Sequence, residues 1–125
     1  MINMKAGFIE VLEKSWTAET SYSPEEWSVN NPAYGQCAVT ALVLQDYLGG
    51  EILKCDVIGF ADSHFFNQID HEIIDYTKIQ FPEYTKFENV KIADRNKMLS
   101  HPGTEERYKI LKSRMEAVSY THLTL

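Results

Sequence analysis

The sequence predicts one α+β domain, with a cysteine-bearing helix buried against a small antiparallel sheet. Three observations predict it. Residues Cys37 to Leu48 (CAVTALVLQDYL) are apolar on nearly every face, the pattern of a helix covered on all sides. His64–Ile69 (HFFNQI) and Glu72–Thr77 (EIIDYT) flank the short turn Asp70-His71 and read as a β-hairpin. Amphipathic helical spacing stands near both ends of the chain.

The elements follow in order. Phe8, Ile9, Leu12 and Trp16, with Glu10, Glu13 and Lys14 between them, predict a helix over 4–16. Residues 17–35 are rich in Ser, Thr, Asn, Pro and Gly and read as a long loop that contains Trp27. Loops of that length are functional or packed by their own side chains. Pro32 and Gly35 precede the buried helix, and Gly49-Gly50 stops it. A strand is expected over Glu51–Ile58, then the hairpin. Residues 83–102 read as irregular with a short helix or strand. Thr104 is placed as the cap of a last helix, with Glu105 and Glu106 at its positive end. Tyr108, Leu111, Met115 and Val118 share one of its faces. The domain is drawn over 1–118. The final stretch 119–125 fits neither helix period nor strand neighbours, and is set aside as a non-native tail resembling translated adapter sequence.

Composition narrows the function classes. The chain has 125 residues, 44% hydrophobic and 24% charged, which suits a packed domain and not a disordered chain. A chain of this size buries roughly two-thirds of the surface its unfolded form exposes. The net charge of −6 repels phosphate backbones, so no nucleic-acid partner is expected. No apolar run approaches the ~20 residues of a membrane span, and charges interrupt the N-terminus before a signal-peptide core could form. A cytoplasmic protein is therefore expected. Cys37 and Cys55 are expected as free thiols. The four histidines, at 64, 71, 101 and 122, show no zinc-ligand spacing, and no cofactor is expected.

Cys37, His64 and Asp75 are the candidate catalytic residues. Cysteine-dependent acyl chemistry needs a thiolate, a base, a group that orients the base, and donors for the oxyanion. Cys37 is the first residue of the buried helix. Positive potential and free N–H groups there favour a thiolate and an oxyanion. With the turn at Asp70-His71, Phe66 faces Asp75, and His64 is Asp75's diagonal neighbour on the same face. Asn31 and Gln36 are candidate oxyanion or substrate donors beside the Cys37 N–H, and Trp27 is a candidate cleft residue. Each has a plainer role: Cys37 as a small buried hydrophobe, His64 bonded to a carbonyl, Asn31-Pro32 as a turn, Trp27 as packing. Cys55 reads as core, His71 as a turn residue and His101 as a loop residue.

The order helix-borne Cys37, strand-borne His64, then Asp75 on the next strand resembles papain-like and transglutaminase-like proteins. His64-Phe65-Phe66 resembles their His-aromatic-aromatic strand. More specifically, Asn31-Pro32-Ala33-Tyr34-Gly35-Gln36-Cys37-Ala38-Val39-Thr40-Ala41-Leu42, Leu48-Gly49-Gly50-Glu51-Ile52-Leu53, Ser63-His64-Phe65-Phe66-Asn67, and Asp75-Tyr76-Thr77 with Gln80-Phe81 resemble the YunG-like family of small bacterial proteins. The resemblance covers about residues 15–118. It implies a minimal papain-like fold and supplies no activity.

The expectation is a cysteine hydrolase or acyltransferase acting on an amide or thioester of a small molecule or peptide. In the alternative, a non-catalytic binding or regulatory module, the three residues form a structural network. A weaker third reading makes them metal ligands, without the usual spacing.

Overall fold

The computed structural model describes the backbone of residues 2–124 and the side chains of residues 7–118. The order of elements is α1 (Ile2–Ser15), α2 (Cys37–Leu48), β1 (Glu51–Val57), β2 (His64–Ile69), β3 (Glu72–Ile74), β4 (Phe87–Ile92), α3 (Arg95–Ser100) and α4 (Thr104–Thr124). Short 3-10 turns stand at Ala18–Thr20 and Lys78–Gln80. The fold is α+β: four helices and one antiparallel sheet in the order β3-β2-β1-β4.

The burial of α2 follows from its position between two layers. Val39 and Val43 pack with Leu12 and Trp16 of the α1 region and with Leu111 and Met115 of α4. Ala41 and Leu42 turn the other way, onto Ile52 of β1 and Met98 of α3. Every residue from Val39 to Leu44 is buried. Each fully buried aliphatic side chain is worth about 2 kcal/mol of transfer free energy. Thr40 adds a polar tie, accepting the Trp16 Nε1–H at 3.0 Å.

The far end of α2 is locked by charge. Arg95 donates to Gln45 Oε1 at 2.9 Å and to Asp46 Oδ1 at 2.8 Å, and Lys112 Nζ reaches Asp46 Oδ2 at 2.9 Å. Tyr108 also donates its hydroxyl to Asp46. A cation at a helix C-terminus interacts favourably with the helix dipole, so this cluster joins α2, α3 and α4 where the dipole invites it.

The hairpin forms in the expected register, with Ile69 opposite Glu72. Asp70 and His71 take φ of 51° and 67°, the backbone of a type I′ turn, whose twist matches that of the strands. The second strand is shorter than expected. Pairing ends at Asn67 opposite Ile74, and the chain leaves the sheet at Asp75 to enter the Lys78–Gln80 turn. Gly50 has φ +77°, and a Cβ there would lie 2.3 Å from the Gln68 carbonyl oxygen, so glycine is required where β1 starts along β2.

Three expectations change. Residues 83–102, read as irregular with a short helix or strand, hold both a strand, β4, and a helix, α3. β4 is an edge strand whose residues Glu88–Ile92 are all exposed, so no alternation marks it. α3 starts at Asp94, whose Oδ1 accepts from the Asn96 and Lys97 N–H groups at 2.9 and 3.2 Å. Thr104 does not cap α4; Gly103 does, its carbonyl accepting the Arg107 N–H. The Thr104 hydroxyl instead accepts from the Arg107 guanidinium at 3.2 Å. The α4 backbone continues through Thr124. That backbone is helical over 119–124, where the sequence suggested no regular element; the side chains of 119–125 lie outside the described residues.

The loop 17–35 is packed by its own polar groups. Ser21 Oγ donates to the Tyr34 carbonyl at 2.8 Å, and the Tyr22 N–H donates to the Gly35 carbonyl at 2.8 Å. No helix is long and apolar enough to cross a membrane among the described residues.

Candidate active site

Three elements bring the predicted cluster together. Cys37 opens α2, and its backbone N–H is one of those a helix leaves without an internal acceptor. His64 opens β2 and is 1% exposed. Asp75 stands just past β3, its side chain 13% exposed. His64 Nε2 lies 2.7 Å from Asp75 Oδ2. A carboxylate only accepts, so Nε2 carries the hydrogen. Nδ1 is buried and makes no hydrogen bond, and the Cys37 thiol lies close enough to the ring to raise its proton affinity.

The imidazole sits among aromatics: Phe66 stacks at 5.6 Å, Phe81 meets it edge-on at 5.2 Å, and Phe87 tilts at 5.5 Å. Burial favours the neutral ring, but hydrogen bonding to Asp75 and the adjacent Cys37 thiol outweigh it, and the His64 pKa is pushed up to about 9. Cys55 faces His64 across the β1–β2 ladder and is 1% exposed. Burial pushes its thiol upward, as does Asp75, which fits a core cysteine. Cys37 and Cys55 are both free thiols, but Cys37 is only half-buried.

Cys37 opens onto a cleft of about 720 Å³ between the 22–23 and 34–35 loop segments, the 60–63 connection, Gln80-Phe81, and the start of α4. The candidate donors do not all reach it. Gln36 is fully buried; its Nε2 donates to the Thr17 carbonyl at 3.0 Å and its Oε1 accepts from Thr20 at 2.8 Å. Both ends of that side chain are committed to anchoring the 17–20 turn. Asn31 Nδ2 is directed to the Gln80 carbonyl at 3.4 Å. Trp27 donates to the Pro32 carbonyl at 2.9 Å and closes its own loop; it does not line the cleft.

Two cleft residues escaped the sequence reading as site residues. Gln80 Oε1 accepts the Gly35 N–H at 3.1 Å. That contact fixes the amide's orientation, since a flip would set two donors face to face. Its Nε2 is then a buried donor without an acceptor. Arg107, on the first turn of α4, also lines the cleft, and its Nε is likewise buried without an acceptor. Gln80-Phe81 was already visible in the family resemblance; Arg107 left only its position after a helix start.

Among the described residues, no group of three or more His, Cys, Asp and Glu side chains could hold a metal ion.

Comparison with known proteins gives a consistent result. A family profile described as YunG protein matches residues 5–120. A curated relative from Bacillus subtilis (strain 168), described as uncharacterized protein YunG, is 33% identical over 102 residues. That match covers 82% of this chain and 83% of the relative. No solved structure matches the chain. On the family match and this relative, the chain belongs to the YunG family.

Proposed function

We propose that the protein is a cysteine hydrolase or acyltransferase acting on an amide or thioester, on a minimal papain-like arrangement of helix and sheet. One observation carries the reading. His64 is oriented by Asp75 through Nε2, while its buried Nδ1 is left without a hydrogen bond next to a half-buried thiol at a helix start.

In this reading His64 Nδ1 takes the Cys37 proton, and Sγ attacks the substrate carbonyl carbon. The electron pair of the carbonyl moves to oxygen. The Cys37 N–H and Gln80 Nε2 donate to that oxyanion. Collapse breaks the C–N or C–S bond, and His64 returns its proton to the leaving amine or thiol. Water or a second nucleophile then attacks the Cys37 thioester by the same steps and frees the thiol. Asp75 holds the ring's tautomer and stabilises its cation. A binding module with a closed network requires an inaccessible Cys37, and a Cys37 that is only half-buried and lines a cleft favours the catalytic reading.

Incubation with simple aryl thioesters, read by intact mass and peptide mapping, tests it. The expected result is an acyl adduct on Cys37 and none on Cys55, absent in Cys37→Ser and much slower in His64→Ala. No adduct across a varied thioester panel contradicts it.

A further inference from the structure

The cleft beside Cys37 is positive on an acidic chain. Lys54, Lys91, Lys97 and Arg107 line it against Asp62 and Asp94, although the chain carries a net charge of −6. Asp94 is already engaged by two backbone N–H groups of α3.

Arg107 differs from the lysines because it is held in place. Its guanidinium lies 5.3 Å over the Tyr22 ring, and Nη2 donates to the buried Thr104 hydroxyl at 3.2 Å. The end of the side chain also rests against Gly103: a Cβ there would lie 2.8 Å from Nη1. No carboxylate pairs with Arg107 among the described residues; Tyr22 and Cys37 are its electrostatic neighbours. A partly desolvated cation without a counter-ion is costly, and its planar fork matches a carboxylate. Gln80 Nε2 is a second buried donor on the same walls. The two buried side-chain atoms without a partner on these cleft-lining residues are thus both donors, and the complementary ligand brings acceptors.

We propose that Arg107 anchors a carboxylate of the substrate, so that the compounds processed at Cys37 are acyl compounds bearing a carboxylate. The inference rests on the reading of Cys37 as nucleophile. A single fixed guanidinium suits a monoanionic group. Phosphate is usually held by several fixed cations or a cradle of backbone N–H groups, whereas Lys91 and Lys97 are exposed and half-buried Lys54 has no side-chain bond that fixes it among the described residues.

Glutarate, its neutral diamide glutaramide, and inorganic phosphate are the probes, titrated into the whole chain while the Arg107 Nε–H and Gln80 side-chain resonances are followed. The expected result is saturable movement of the Arg107 signal with glutarate in the millimolar range, little with glutaramide, and weaker movement with phosphate. In Arg107→Gln, glutarate should no longer move the Gln80 signal; Arg107→Lys should weaken the response at least severalfold. Equal response to diacid and diamide, no response to glutarate, or tighter binding of phosphate overturns the assignment. None of these readouts needs a reactive thiol. Failure of the nucleophile reading appears separately, as slow iodoacetamide labelling of Cys37.

Discussion

Asn67 of β2 donates its side-chain Nδ2–H to the Ala41 carbonyl of α2 at 3.0 Å, across a fully buried interface. This bond ties the helix that carries Cys37 to the strand that carries His64. Replacing Asn67 by Ala should destabilise the fold by about 1–3 kcal/mol, the usual cost of removing a buried hydrogen-bonding partner. Urea unfolding with an unchanged m-value would measure it. A change below about 0.5 kcal/mol would show that the bond does not hold the two elements together.

His64 sets the expected pH dependence. Its pKa is about 9 in the folded chain and about 6.5 in an unfolded one. The folded state therefore holds a proton that the unfolded state releases. The stabilising contribution is complete below about pH 6.5 and is lost as pH rises through about 9. Its full size is a few kcal/mol at most, less whatever the coupled thiol offsets. Asp75→Asn should bring the His64 pKa down, read by NMR titration of the imidazole carbon-bound protons. An unchanged titration would remove Asp75 as the orienting group.

Gln80 separates acyl transfer from simple thiol reactivity. Gln80→Met should slow acylation of Cys37 by thioesters about 10²- to 10³-fold, as the loss of one oxyanion donor does. Alkylation by iodoacetamide develops no oxyanion and should change little. Parallel loss of both rates would mean that Gln80 only supports the fold.

Gly35 holds the loop against the cleft. It has φ +72°, and a Cβ would lie 2.3 Å from Ser21 Oγ and 2.9 Å from the Tyr22 nitrogen. Gly35→Ala should cost about 1–3 kcal/mol through backbone strain and the clash, read as a lowered thermal midpoint. A midpoint unchanged within about 1 °C would mean that the loop yields without cost.

The sequence carried the parts of the fold that have a one-dimensional signature. The apolar run from Cys37 to Leu48 announced a helix packed on both sides, and Asp70-His71 announced the turn and its register. β4 was hidden because an exposed edge strand needs no alternation, and its neighbour α3 is only a short capped turn around Met98. At the site, chain order brought Cys37, His64 and Asp75 into view. The polar side chains beside the cleft differ from those the sequence suggested, for a physical reason. Gln36 is adjacent to Cys37 in sequence, but its side chain turns inward to Thr17 and Thr20. Gln80 reaches the Cys37 cleft only because the chain leaves the sheet at Asp75 and turns at Lys78–Gln80. That return is a tertiary event, and no local spacing encodes it.

Whether Cys37 works as a nucleophile is decided by its rate of alkylation by iodoacetamide across pH, followed by peptide mass spectrometry. Buried Cys55 is the internal control, and His64→Ala is run alongside. Labelling of Cys37 that is rapid at neutral pH, far ahead of Cys55, and lost in His64→Ala is the predicted result. Slow labelling of Cys37, equal in the two proteins, would contradict it and leave Cys37, His64 and Asp75 as a structural network.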